Sequence, residues 1–321
     1  MSEETKPDTT NVNCKQESCL QRQSKKKQAS CLQRESNATA KRKDSTEPAF
    51  LKPILIGIVV LFLFVFVFLP LYTIFKEAFS GGIKAYAASI NHPDVFKSIW
   101  LTLVTALVCV PVNTVFGVLL AWTITKFNFR GKNILITMIE IPFSISPVIA
   151  GLLFIFLFGS FGWFGHWLFA HDIKIVFAVP GIMLATAFVT FPFVARELIP
   201  LMQEMGRDDE EAALTLGAHG LQIFFKITLP NIKWGLLYGV VLTNARAIGE
   251  FGAVSVVSGL IRGLTTTMPL YIDILYGEYM FSAAFAVASL LTLIALATLM
   301  IKTVIEKIIE ETKKQHAVAI Q

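Results

Sequence analysis

The sequence predicts an all-α membrane protein with six transmembrane helices. Three observations predict it. The 321 residues are 54% apolar and only 16% charged, which is too apolar for an ordinary soluble domain. Most charges gather in an N-terminal stretch and in short loops, so what lies between reads as long apolar runs. The loops also alternate in their content of Lys and Arg, as the loops of a polytopic protein do. A composition of 27 Phe against 6 Tyr likewise suits lipid contact better than a soluble surface.

Residues 1–50 read as a disordered cytoplasmic tail. From Met1 to Lys52 there are 11 Lys/Arg against 7 Asp/Glu, so most of the chain's +5 net charge sits there. No aromatic residue precedes Phe50, and a nucleic-acid surface would want aromatic platforms beside its cations. The motif Ser18-Cys19-Leu20-Gln21-Arg22-Gln23-Ser24 recurs as Ser30-Cys31-Leu32-Gln33-Arg34-Glu35-Ser36, too briefly for a solenoid. Cys14, Cys19 and Cys31 lack metal or redox spacing, and Cys109 reads as a small buried hydrophobe.

The transmembrane domain is expected over 51–315. Its first span, Ile54–Phe75, is an uncharged run of 22 residues, enough for a bilayer, and it follows too long a polar stretch for a signal peptide. Further spans are expected at Ile99–Ile124, Ile134–Phe158, Ile175–Ala195, Gly235–Ser258 and Ser282–Ile305. The tail, the Lys126–Asn133 loop, the Arg196–Trp234 loop and the C-terminal Lys302–Gln321 segment are the basic ones. Both termini are therefore expected to face the cytoplasm. The last span is expected to run on as a helix through Lys302–Lys314.

The third span carries Pro142 and Pro147 within Glu140–Gly151, and freed backbone groups there need protein or water beside them. In the fifth span Arg246 and Glu250 stand four apart on one helical face, spaced to pair. Ionisable residues at membrane depth mark a functional site by default, although a pair that only locks helix packing is the other reading. Small and hydroxyl-bearing residues follow, including Ser255 and Ser258.

The cytoplasmic loop over 196–234 is the most informative stretch. Asp208-Asp209-Glu210-Glu211 then Ala212-Ala213-Leu214 reads as a helix start, because carboxylates stabilise the unpaired amides of a first turn. Gly217 stands where that helix must end in a left-handed residue. Leu229-Pro230 is expected to close the loop before the next span.

Glu-Ala-Ala, three residues, Gly, nine residues, Ile, one residue, Leu-Pro resembles the signature loop of permeases of bacterial ATP-driven (ABC) importers. The resemblance implies a type I importer permease fold with a cytoplasmic coupling helix seated on a separate ATPase subunit. Glu211, Ala212, Ala213, Gly217, Leu229 and Pro230 would carry that coupling. The fifth-span run Ala-Arg-Ala-Ile-Gly-Glu-Phe-Gly-Ala, 245–253, is similar to sulfate and molybdate permeases. Its continuation through Ser258-Gly259 and Thr265-Thr266-Thr267-Met268-Pro269-Leu270 is similar to the sulfate branch.

The function this implies is import of sulfate, with thiosulfate as related cargo and molybdate or tungstate as the alternative. Arg246, Glu250, Ser255 and Ser258 would line or gate the path. The implied partners are a homologous second permease, two ATP-binding subunits, a periplasmic or surface sulfate-binding protein and the lipid bilayer of the bacterial inner membrane, with no nucleic acid. The chain has no phosphate-binding Gly-x-x-x-x-Gly-Lys-Ser/Thr loop. No enzymatic activity, cofactor or metal is expected on it, and ATP and Mg would be bound by the partner ATPase. A transporter driven by an ion gradient is the rival of another class, since it too has broken helices and buried charges.

Overall fold

The computed structural model of the chain describes residues 51–319, all helix and connecting loop. The expectation of a disordered tail falls on 1–50, outside the described residues. The chain divides into two units between Leu69 and Pro70. Helix α1 (Leu51–Ala78) begins in the first, where 53–69 is an unbroken apolar stretch whose side chains are exposed, with Phe62 packed on Phe66 and Phe64 on Phe68.

The second unit is built around α3 (Pro93–Lys126), which follows the short α2 (Gly82–Ile90). Pro93 opens α3 where a missing N–H costs nothing, Asp94 lies in its first turn, and Lys126 occupies its last. Its inner face meets α7 (Val179–Thr190) and α8 (Pro192–Glu204), then α11 (Leu229–Ile248). Val118 and Ala121 of α3, Val194, Leu198 and Met202 of α8, and Ile232 of α11 form one buried cluster. Backbones approach closely there: a Cβ on Gly117 would stand 2.7 Å from the Val194 Cβ. A second cluster joins Val95 of α3 to α13 (Met268–Gly277) and to Ala284 and Val287 of the long α14 (Phe281–Ala319).

Among the described residues, four helices are long and apolar enough to cross a membrane: Pro53–Ala78, Pro93–Lys126, Val179–Glu204 and Phe281–Val304. These contain the first, second, fourth and sixth expected spans, apart from the opening residues of the fourth and the last residue of the sixth. The last runs on as helix beyond the membrane-length segment, as expected from the sequence.

The other two expected spans fall outside these four, and each is divided in two. Ile134–Phe158 is divided into α4 (Lys132–Ser144) and α5 (Pro147–Phe158), bent by 106° from one another. Pro147 is the cause: it has no N–H to continue the helix and forces the preceding Ser146 to extended backbone, at ψ 134°. Gly235–Ser258 divides at Gly249–Phe251 into α11 and the short α12 (Gly252–Val257). Alone, α11 is not apolar enough to count, because Lys233, Asn244 and Arg246 lie along it. The fourth span also outruns its expected end at Ala195. Pro192 starts α8 afresh at N1 and that helix continues to Glu204, so the first part of the expected 196–234 loop is helical.

The broken elements pack on each other. A Cβ on Gly151 of α5 would lie 2.7 Å from the Ala253 carbonyl oxygen of α12, and one on Gly181 of α7 would lie 2.8 Å from Val257. Only glycine allows backbones this near, and the contact satisfies the requirement that interrupted helices be covered by protein.

Candidate functional site

The loop between α8 and α11 folds as its residues dictate. Asp208–Thr215 is a helix, α9, with Asp208, Asp209, Glu210 and Glu211 all in its first turn. It ends in a Schellman turn. The Ala218 N–H donates to the Ala213 carbonyl and the Gly217 N–H to the Leu214 carbonyl, each at 3.0 Å, while Gly217 sits at φ +83°. Glu211, Ala212 and Gly217 are exposed, whereas Ala213 is turned inward and is 9% exposed. Beside them Leu214, Leu216 and Leu221 are 57%, 89% and 70% exposed, an apolar surface on an otherwise polar loop.

Leu229 and Pro230 do not end the loop. They lie in the first turn of α11, at the end of a helical run that begins with α10 (Gly220–Ile223) and passes through one π-helical stretch, Phe224–Thr228. Pro230 can donate no hydrogen bond to the turn below and its ring crowds the carbonyl there, so the helix widens at this point instead of stopping.

What anchors α9 is Glu210, which the sequence reading passed over. Its Oε2 lies 3.0 Å from the Lys126 Nζ at the C-terminal end of α3, and its Oε1 accepts a 2.6 Å hydrogen bond from the Thr228 hydroxyl at the base of α11. Lys126 also donates to the Gly206 carbonyl at 2.7 Å, and Arg207 donates to the Thr125 carbonyl at 2.9 Å. Both charges of the pair are mostly buried and each stands at the helix end that favours it, the cation at a C-terminus and the carboxylate at an N-terminus. A cavity of about 10 Å³ lies among these groups.

At membrane depth the expected Arg246–Glu250 pair is present, at 2.6 Å between Nη1 and Oε2. It does not lie along a continuous helix, because α11 ends at Ile248. Glu250 stands in the break, its side chain 1% exposed, while Arg246 is 34% exposed. Its Oε1 accepts a 3.1 Å hydrogen bond from the Ala253 N–H in the first turn of α12; Oε2 has only the contact with Arg246 and no aligned hydrogen bond. Ser255 donates to the Gly252 carbonyl and is half-buried. Ser258 is fully buried and its hydroxyl accepts from the Leu260 N–H, so it shapes the following turn.

Residues 113–310 match the model of the family described as binding-protein-dependent transport system inner membrane component. The chain belongs to that family. Members among its relatives include "Sulfate transport system permease protein CysW" of Escherichia coli (strain K12), 50% identical over 86% of this chain and 94% of that protein. "Sulfate permease 2, chloroplastic" of Chlamydomonas reinhardtii is 48% identical over 80% of this chain and 70% of its own. "Sulfate transport system permease protein CysT" of Escherichia coli (strain K12) is 36% identical over 74% and 85%. The fold is that of a chain in the crystal structure of a bacterial alginate ABC transporter in complex with a pentasaccharide-bound periplasmic protein. The TM-score is 0.68 at 17% identity, covering 79% of this chain and 92% of that one.

As a member of this family the chain is a multi-pass inner membrane permease, the non-catalytic subunit of an ABC transporter. Within it the structure places the residues of interest in two separate groups. Glu211, Ala212 and Gly217 share the exposed surface of α9, with Ala213 beneath them, and Arg246 and Glu250 share the α11–α12 break. Lys126, Arg207, Glu210 and Thr228 were missed, and the one signal that pointed to them was the density of charge around α9.

Proposed function

We propose that this chain is the membrane-spanning permease subunit of an ATP-driven sulfate importer. The observation that carries this reading is identity to a sulfate permease at 50%, sustained over 94% of that protein's length. At that coverage the loop and the α11–α12 break fall within the shared sequence. The bent α4–α5 pair and α11–α12 then complete six crossings, and the basic loops put both termini in the cytoplasm.

In this reading the exposed face of α9 docks on an ATP-binding subunit. Leu214, Leu216 and Leu221 supply apolar area, and Glu211, Ala212 and Gly217 allow close approach. ATP and Mg are held by that partner, and hydrolysis reaches the permease as a rigid-body movement of a helix already attached to α3 and α11. A homologous second permease, of the kind to which this chain is 36% identical, forms the other half of the path. A binding protein delivers sulfate from outside. Arg246, partly exposed and already half-neutralised by Glu250, offers a passing dianion a favourable but not a trapping charge.

The test is uptake of labelled sulfate by cells lacking their own sulfate permease, supplied with this chain and its neighbouring subunits, with unlabelled molybdate as competitor. A parallel strain carries Gly217→Asp. Nothing lies within 4 Å of a Cβ at this position, so the new charge meets no clash on the docking face, and Asp takes the left-handed backbone at φ +83° for about 1 kcal/mol. Uptake that is weakly inhibited by molybdate and lost in the variant is the expected result. Uptake indifferent to the variant would overturn the role of α9, and strong molybdate inhibition would overturn the choice of sulfate.

A further inference from the structure

We propose that Glu210 is a positioning residue for transport: a single carboxylate that couples α9 to α3 and α11 together, so that displacement of the docking helix moves both membrane helices as one. The inference rests on reading the chain as an importer permease, and it goes beyond that reading by naming the joint inside it.

The case begins with how weakly the backbone alone holds α9. Gly206 before it and Gly217 after it both adopt left-handed backbone, at φ +70° and +83°, so neither end of α9 continues as helix into the elements around it. A push on α9 delivered through these turns would be absorbed by two loops. The side-chain contacts are of a different kind. Lys126 Nζ at 3.0 Å and Thr228 Oγ1 at 2.6 Å take one oxygen each of the same carboxylate, one from the end of α3 and one from the base of α11.

Both receiving positions are built to transmit movement. Lys126 occupies the last turn of α3, the helix around which the packed core is built, and its second bond, 2.7 Å to the Gly206 carbonyl, holds the hinge glycine against the same helix end. Thr228 is 2% exposed and closes the π-helical stretch from which α11 rises towards Arg246 and Glu250. Arg207 adds a bond to the Thr125 carbonyl at 2.9 Å, so the start of α9 grips the end of α3 at two points. A cavity of about 10 Å³ lies among these groups, so a shift of α9 towards α3 and α11 meets packed side chains.

A merely structural staple and a transmitting joint differ in one observable, the ATP consumed per sulfate imported. The complete complex, with its ATPase subunits, second permease and binding protein, is reconstituted in proteoliposomes, and labelled sulfate uptake and phosphate release are measured together. Glu210→Gln keeps an acceptor for Thr228 but removes the charge paired with Lys126; Lys126→Met removes the same pair from the other side. In both, ATP hydrolysed per sulfate is expected to rise about tenfold, the scale of losing one hydrogen bond to a charged group. Thr228→Val is expected to raise it less, and Lys126→Arg, which keeps a cation, to leave the ratio near that of the unaltered complex.

A ratio unchanged in Glu210→Gln and Lys126→Met, whether uptake and hydrolysis fall together or neither falls, overturns the proposal. Should Glu210→Gln fail to assemble, Lys126→Met and Thr228→Val decide it on the same ratio. If the unaltered complex itself imports no sulfate, it is the importer reading that has failed and not the joint.

Discussion

Glu210 and Glu250 are two buried carboxylates that solve the same problem in different ways. Each gives one oxygen to a cation and the other to a neutral donor: Lys126 and the Thr228 hydroxyl for Glu210, Arg246 and the Ala253 N–H for Glu250. The difference lies in where those partners come from. Both partners of Glu250 are within four residues of it, so its pair closes a break between α11 and α12 and links nothing distant. The partners of Glu210 belong to α3 and to the base of α11, so its pair holds three elements together. One carboxylate stabilises a local break between α11 and α12, and the other ties α9 to two helices distant in sequence.

The comparison predicts unequal costs, and the largest belongs to Glu250. Glu250→Ala leaves Arg246 without its partner and the Ala253 N–H without an acceptor, in a site where the side chain is 1% exposed. Removing one member of a buried pair costs about 3–5 kcal/mol, so the purified complex in detergent is expected to show a marked drop in melting temperature. A melting temperature close to that of the unaltered protein would mean that water reaches the break and that the pair does not hold it.

Next in size is Gly151→Ala, which probes the packing around the same break. Its new Cβ would lie 2.7 Å from the Ala253 carbonyl oxygen, a contact relieved only by moving α5 off α12. Overpacking of this kind costs about 1–3 kcal/mol, again read as a lowered melting temperature. Gly217→Asp, with open space around its Cβ, is the matched contrast: it carries only the strain of a side chain at φ +83°, about 1 kcal/mol, so melting should fall less than in Gly151→Ala.

At the Glu210 joint the stability effect is smaller. Glu210→Gln retains an oxygen for Thr228 and loses a pair whose members are 10% and 15% exposed, for about 1 kcal/mol. If it destabilised the protein as strongly as Glu250→Ala, the contrast between a joint and a seal would collapse.

The smallest effect lies in the loops on the other side of the fold from α9. Arg262 pairs with Glu278, which is fully exposed, and the hydrogen bond from Arg262 holds this carboxyl below its usual range. A lowered carboxylate stabilises the fold above its ordinary pKa, and that contribution is lost as pH falls through the lowered value. Glu278→Gln should therefore differ from the unaltered protein slightly at neutral pH and not at all in acid. Melting curves across that range would show it, and a difference growing towards acid would contradict the assignment.

How far these features were legible in the sequence follows from the same contrast. Arg246 and Glu250 announced themselves by a spacing of four, and Gly217 by its place after a run of helix formers; local geometry determines both. The pairing of Lys126 with Glu210 depends on α3 and α9 meeting in space, which no local pattern encodes, and four adjacent carboxylates gave no reason to prefer the third. The apolar runs located the membrane segments because burial in lipid is a matter of composition. Their continuity was misjudged at Pro147 and at the Gly249–Phe251 break, whereas Pro70 and Pro111 stand inside unbroken helices: Pro147 was visible as a breaker, but residue type alone does not say which proline interrupts a span or that the bend there is 106°.

The most direct test of the central claim is sulfate uptake into proteoliposomes holding the complete complex, with binding protein and labelled sulfate outside and the energy source varied. Uptake that requires ATP on the side of α9, and persists when the proton gradient is collapsed, is the predicted result. Uptake that runs without ATP and stops with the proton gradient would contradict the account and make the chain a gradient-driven transporter.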